Sequence, residues 1–352
     1  MVTSTLPYLI IGQGLAGTIL SHELLTRNIP HKVMDDNHSS CATQAAAGII
    51  NPITGRRYVK SWMIDELLPA ALKRYQALEN LLGIALVKKT RIIRTLDDQS
   101  QVNAWNDATS RPGYQNYVAE GDNAYTGWMQ SRRDYGIITG ALQVDVGQLI
   151  QHYQQYLAEH DMLVPKRFDQ SAYVYEAATY EVHGITYDKL IFCNGYKAAT
   201  HPHFSALPFQ PAKGESLTIK VDDNLPEEIL RAKIFVAPTG LNEFWTGGGY
   251  EWDQLEDGPT EYFKTKWLGD LTTLFKGDRR LSILSHKAGV RPSVKGRRPL
   301  LGVHPHYPRL ALFNGMGTKG TSLAPYWSTR LIDHLEKGAA LDPEVDLRRF
   351  LK

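Results

Sequence analysis

The chain opens on a short apolar run, residues 6–11, that stops at a glycine; apolar side chains then recur at Leu15, Ile19, Leu20 and Leu24. The first pattern predicts a buried strand and the second a helix over 15–27, joined by a tight turn. A second short strand, 31–35, ends in acid, and the three together make a βαβ unit. Leu67, Leu68, Leu72, Leu78, Leu81 and Leu82 predict a helix over 65–82, which Pro69 would kink or end in its first part. Residues 90–140 change character, with β-type stretches such as 91–95 alternating with turn-rich ones such as 110–113, a pattern for antiparallel strands. A helix follows over 144–157. The run 187–195, apolar and closed by Gly195, reads as a central strand of a parallel sheet. β-type character returns at 217–221 and 233–236, and a last helix spans 323–337 behind a glycine-rich turn. Nucleotide-type segments thus stand at the start, middle and end, with antiparallel-looking material between them.

Composition narrows the class. A chain of 352 residues, 43% hydrophobic and 22% charged, is globular and long enough for two domains, which excludes disorder and collagen-like repeats. Thirty-nine Lys and Arg against thirty-seven Asp and Glu leave a formal charge of +2, far from a dedicated nucleic-acid binder, so a role on RNA would need local clusters. The two cysteines, Cys41 and Cys193, cannot build a disulfide framework or a cysteine-rich metal site, and they point to a reducing cytoplasm. No run approaches the ~18 apolar residues of a membrane span. The first five residues lack the positive leader of a secretory signal, so a cytoplasmic location is expected.

Gly12-Gln13-Gly14-Leu15-Ala16-Gly17 carries the Gly-x-Gly-x-x-Gly spacing directly after the first strand and at the mouth of the first helix. Position gives the pattern its meaning. Gly12 permits the tight turn, Gly14 lets a pyrophosphate approach the backbone, and Gly17 lets the helix pack closely on the strand. The helix start, with Leu15 and Ala16, offers N–H groups and partial positive charge to phosphate oxygens. Asp35, eighteen residues past Gly17, is placed to accept from adenosine ribose hydroxyls; Asp36 is the neighbouring candidate, and strand alternation turns only one of the two inward. Nothing in this motif separates NAD from FAD. Residues 44–52, Gln-Ala-Ala-Ala-Gly-Ile-Ile-Asn-Pro, are small and apolar. They suit a backbone lying against a flat ring at Ala46, Ala47, Gly48 and Ile49, or else a tight helix followed by a turn.

These segments are followed by Asn194 and Gly195 closing the 188–195 strand, Gly214-Glu215, Gly289-Val290-Arg291-Pro292, Arg298-Pro299-Leu300-Leu301-Gly302 and the stretch 315–325. In that order the sequence resembles, over essentially its whole length, the D-amino-acid oxidase and glycine oxidase family of FAD-dependent oxidoreductases. The resemblance implies an α/β fold with an α+β second domain. In it a Rossmann-like FAD-binding domain, residues 1–85, 142–212 and 285–352, is interleaved with an antiparallel-sheet substrate domain, 86–141 and 213–284. It also implies non-covalent FAD, since neither cysteine falls in the C-terminal region where sarcosine oxidases attach flavin. The arginine of the Gly-x-Arg-Pro motif, here Arg291, would reach the substrate carboxylate. Gly317, Thr318, Lys319, Gly320 and Thr321 would lie at the flavin pyrimidine edge, and Gly315 would also bind the cofactor. Glu215 departs from the pattern, for the family often has glutamine after this glycine.

Those assignments make chemical sense. Arginine presents a planar fork of donors that holds a carboxylate bidentately, although Arg291 would equally pair with a protein carboxylate. Glycines ahead of a helix offer N–H groups where negative charge builds on a reduced flavin. Lys319 either reinforces this, or helps reduced flavin react with oxygen, or is a solvated lysine. Trp245 and Tyr250, around the glycines 247–249, are either aromatic walls of the site or sheet core. Arg291, Lys319 and Tyr250 are therefore the catalytic candidates.

Other signals count for less. His201-Pro202-His203 and His304-Pro305-His306 look like paired metal ligands, but proline holds the backbone extended and no nearby cysteine or acid completes a site, so no metal is expected. There is no Gly-x-Ser-x-Gly elbow. Arg56-Arg57-Lys60, Arg132-Arg133 and Lys295-Gly296-Arg297-Arg298 are solvated faces or a tRNA-facing surface. The expected activity is oxidation of the C–N bond of an amino acid or small carboxylate-bearing amine, by hydride transfer to flavin N5, giving an imine. Oxygen or another acceptor would reoxidise the flavin. The alternatives are a tRNA-modification oxidase acting on a carboxymethylaminomethyl-uridine type substrate and a catalytically idle flavin-binding partner subunit.

Overall fold

The first apolar run is the strand Ser4–Ile11, which pairs in parallel with His31–Met34 on one side and Ile185–Phe192 on the other. Leu163–Val164 extends the sheet beyond the former; parallel Leu310–Asn314 and antiparallel Leu300–Val303 extend it beyond the latter. Leu9, Ile10, Ile191, Phe192 and Leu312 are fully buried, as befits central strands covered on both faces. The computed structural model describes residues 4–37, 41–121, 129–130, 132, 134–169, 180–182, 184–222, 225–255, 258–277 and 279–351.

Helix Leu15–Thr26 is buried all round from Gly17 to Leu24. It lies against the last helix, Gly320–Lys337, where Arg27 donates to Asp333 at 2.8 Å. Burial of Ile19, Leu20 and Leu24 contributes about 1.5–3 kcal/mol each. A second sheet runs in the order Leu281–Arg291, Ala212–Val221, Glu243–Glu251, Phe235–Gly240, Ile229–Arg231, Val87–Leu96, Asp134–Val144, Ile49–Ile50. Its pairings are antiparallel apart from that of Ile229–Arg231 with Val87–Leu96. Helix Glu261–Leu274 seals one face, packing Trp267, Leu271 and Leu274 on Leu217, Ile219 and Val221. No helix among the described residues is long and apolar enough to cross a membrane.

Several elements depart from the sequence pattern. Pro69 does not end its helix, which runs Ile64–Leu82. It stands near the start, where Asp65 and Glu66 favour the N-terminal dipole and one ladder bond is lost. Residues 90–140 are not strand and turn alone: Asp98 accepts from the Gln101 N–H and caps a helix, Gln99–Thr109. The helix at 144–157 is Val146–Glu159, because Asp145 caps it by accepting from Gln148 N–H. Strand 217–221 begins earlier, at Ala212, and strand 233–236 starts at Phe235 and ends at Gly240. The last helix begins at Gly320, ahead of its apolar stripe.

The two His-Pro-His motifs lie side by side, His203 and His304 having ring centroids 6.0 Å apart, and they pack with Phe192, Phe204 and Tyr307. Burial pushes His201 down to about 4 and His22 to about 3, and lowers His203 and His304. These rings stay neutral in the fold while the unfolded chain protonates them below about 6.5. Their contribution to stability is therefore fully present above that pH and is lost as pH drops toward 4. The urea midpoint should shift down between pH 7.5 and 5, with His201 alone costing on the order of 2 kcal/mol; an unchanged midpoint would contradict neutral burial.

Candidate active site

The sequence motifs gather at the carboxyl ends of neighbouring parallel strands, the crevice where open α/β sheets bind ligands. Gly12 follows Ser4–Ile11, Asp35 follows His31–Met34, Asn194 and Gly195 follow Ile185–Phe192, and Gly315 follows Leu310–Asn314. Gln13 N–H donates to Asp35 Oδ2 at 2.8 Å and Asn37 N–H to Oδ1 at 2.8 Å. Asp35 is half-buried against the glycine turn and Asp36 is exposed. Asn314 ties two loops together, donating to Gly195 O at 2.9 Å and accepting from Gly315 N–H at 2.8 Å.

The other stretches reach the same place. Leu15 N–H donates to Thr43 Oγ1 at 3.1 Å, and a Cβ on Gly320 would lie 3.2 Å from Leu15 Cδ2. Trp245 Nε1 donates to Ala45 O at 3.0 Å, so this indole braces the alanine turn. Residues 44–52 are neither helix nor simple turn: Ile49–Ile50 joins the second sheet opposite Leu142 and Gln143. Gly48 is bare because a Cβ would collide with Val144 O. Ala46 is exposed, while Ala47 and Ile49 are half-buried.

Arg291 ends its strand half-buried. Its Nη1 donates to Gly249 O at 2.9 Å and its guanidinium lies 4.9 Å over the Tyr250 ring. Among the described residues no carboxylate forms an ion pair with it, and burial lowers its pKa. Tyr250 is not sheet core: it is 52% exposed and stacks on Trp252, itself 61% exposed. Lys319 is half-buried rather than solvated, 3.4 Å from Ser61 Oγ, its pKa lowered by burial and then by Arg298 and Arg297. Gly317 N–H donates to Pro292 O at 3.2 Å, joining the two ends of the site, and Thr321 is buried beside exposed Thr318. Of the basic clusters, Arg298 lies 4.1 Å over Trp62, next to Lys60 and Ser61, whereas Arg132 pairs with Asp97; Arg133 lies outside the described residues.

Thr43, Ser61 and Trp252 were not legible as site residues. Each sits in a stretch with no periodicity or motif to mark it.

A family model described as FAD dependent oxidoreductase matches residues 8–332. The chain belongs to that family. Glycine oxidase from Geobacillus kaustophilus superposes with a TM-score of 0.77 at 18% identity, over 99% of this chain and 98% of that one. Iminodiacetate oxidase from Chelativorans sp. BNC1 gives 0.76 at 18%, over 98% of each. L-proline dehydrogenase from P. horikoshii gives 0.77 at 16%, over the whole of both. At such identities the likeness is one of fold.

FAD is the cofactor of this family, and the residues present fit it. Cβ atoms on Gly12 and Gly17 would meet backbone, Gly12's lying 2.9 Å from Cys193 O and Gly17's colliding with Gly12 O; on Gly14 a Cβ would meet only Thr43 Oγ1, at 3.5 Å. Packing explains the outer glycines, then, while at the middle one a Cβ would make only an ordinary contact. Gly14 supplies no side-chain cap and the first turn holds no acid, so although Thr43 accepts from the Leu15 N–H, the positive end of the helix still favours an anion. Asn194 Oδ1 is buried with no hydrogen-bond partner among the described residues. Gly14→Val should accordingly fold, with the melting temperature of the flavin-free parent, yet emerge colourless, whereas Gly17→Val should fail to fold. Flavin retained by Gly14→Val, read from the visible spectrum, would show that phosphate does not approach there.

Proposed function

We propose that this FAD-dependent oxidoreductase oxidises the C–N bond of an amino acid or small amine carrying a carboxylate. Arg291 supports this most: a half-buried cation, anchored on one side by Gly249 O and with no ion-paired carboxylate among the described residues. Holding a charge there costs solvation, and a planar donor fork recovers it best from a bound carboxylate. The three neighbours described above are named for glycine, iminodiacetate and proline, each a carboxylate-bearing amine.

Gly12, Gly14, Leu15, Ala16, Gly17 and Asp35 would hold the pyrophosphate and ribose. Asn194, Gly195, 46–49, Gly315 and 317–321 would hold the remainder, without a covalent bond. When bound, the flavin supplies a two-electron acceptor that takes hydride at N5. Arg291, gripping the carboxylate, fixes the α-carbon, and such positioning is a large part of the catalysis. Tyr250 supports the guanidinium through its ring face. An amine that enters neutral has the lone pair that expels hydride, so no side-chain base is required, and the imine hydrolyses in water. Lys319 and the start of the last helix place positive charge at the pyrimidine edge. A second reading, the same oxidation on an aminomethyl-uridine in RNA, is favoured by the meeting of Arg297, Arg298 and Lys319 beside Trp62.

Anaerobic mixing with glycine, sarcosine, proline, D-amino acids and modified tRNA tests the proposal by bleaching of the flavin. Reduction by a small carboxylated amine is the expected result, salt-sensitive reduction by tRNA alone would favour the second reading, and no bleaching would leave an idle subunit. Arg291→Ala should weaken the active amine by ~2–5 kcal/mol in kcat/KM while keeping FAD bound; equal turnover would remove Arg291 from the site.

A further inference from the structure

Behind Arg291 lies a second charged cluster. Lys213 and Glu215, 1% and 2% exposed, flank Gly214 on the strand Ala212–Val221. Thr260 N–H donates to Glu215 Oε2 at 2.8 Å and its hydroxyl to Oε1 at 3.0 Å; His286 Nε2 donates to Oε2 at 2.9 Å. Lys213 Nζ stands 3.8 Å from Oε1 and reaches Gly258 O at 3.4 Å.

Each partner leads back to the guanidinium. His286 shares the strand that ends at Arg291. Thr260 precedes the helix Glu261–Leu274, whose Phe263 packs so tightly on Gly249 that a Cβ there would lie 2.6 Å from its ring, and Gly249 O accepts from Arg291. Gly214 lies directly against the guanidinium, where any Cβ would collide.

Buried unlike charges are a poor source of stability compared with apolar side chains of the same shape, so the worth of this cluster lies in the geometry it imposes. We propose that Glu215 is a positioning residue for Arg291. By holding His286 and Thr260 on one carboxylate, beside Lys213, it sets the hollow at Gly214 and the place of the Gly249 carbonyl, and these orient the fork that takes the substrate carboxylate. This rests on the reading that Arg291 binds that carboxylate. Glu215→Gln keeps the shape but replaces an accepting oxygen by a donor that faces other donors.

The test is a double-mutant cycle on the FAD-loaded protein, titrating acetate against the flavin spectrum and splitting KM from kcat for any amine that reduces it. Glu215→Gln should weaken acetate roughly tenfold and raise KM more than it lowers kcat, with FAD retained. In an Arg291→Lys background the same change should make no further difference, since a point charge has no plane to orient. Thr260→Val, which removes one donor to Glu215, should shift acetate in the same direction by a smaller factor, and it serves if Glu215→Gln fails to fold. Unchanged acetate affinity in Glu215→Gln, or effects that add in the two backgrounds, would overturn the positioning role while leaving Arg291 in place. Unchanged affinity in Arg291→Lys alone would overturn the reading beneath it as well.

Discussion

A helix can start hard against the end of the first strand only while Gly17 stays bare, because any side chain there would occupy the position of the Gly12 carbonyl oxygen. That single steric condition sets the reference point of the nucleotide crevice. It places Leu15 within reach of Thr43 and Gly320, and it holds Gln13 where its N–H meets Asp35. Since cores are packed near crystal density, a shift of this turn by one methyl group would be felt at every neighbour.

Much of this was legible in the chain itself. The glycine turn, the acid-ended second strand and the apolar run before Gly195 each combine a strong local rule with an uninterrupted pattern, and the structure puts them where that combination says. The second sheet was harder to read. Its strand Leu281–Arg291 exposes much of its length and buries chiefly Gly289 and Val290, so no alternation marks it. The helix Glu261–Leu274 buries only Trp267, Leu271 and Leu274, too narrow a stripe to stand out. Contacts such as Thr43 with Leu15, or Ser61 with Lys319, depend on chain segments meeting from far away, and no short-range signal encodes them. Lys319 shows the same gap: its sequence context is that of a surface lysine, and only tertiary packing buries it.

Charge is distributed unevenly between the two halves of the crevice. Around the glycine turn the polar groups among the described residues are backbone N–H groups at a helix start and the Asp35 carboxylate. Arg291 and Lys319, by contrast, are half-buried cations whose protonation is opposed by burial. Such a field favours anionic over neutral occupants before any shape complementarity is considered.

The order in which the polypeptide emerges has a consequence for how the protein acquires its flavin. The first strand must wait for Ile185–Phe192 before its second edge is paired, and Leu15 must wait for Gly320. A nascent chain can therefore form the glycine turn early, yet it has no complete crevice until the segment around Gly320 has been made. Long-range closure of this kind is slow, so the crevice is completed by the docking of the last helix rather than by the folding of the first.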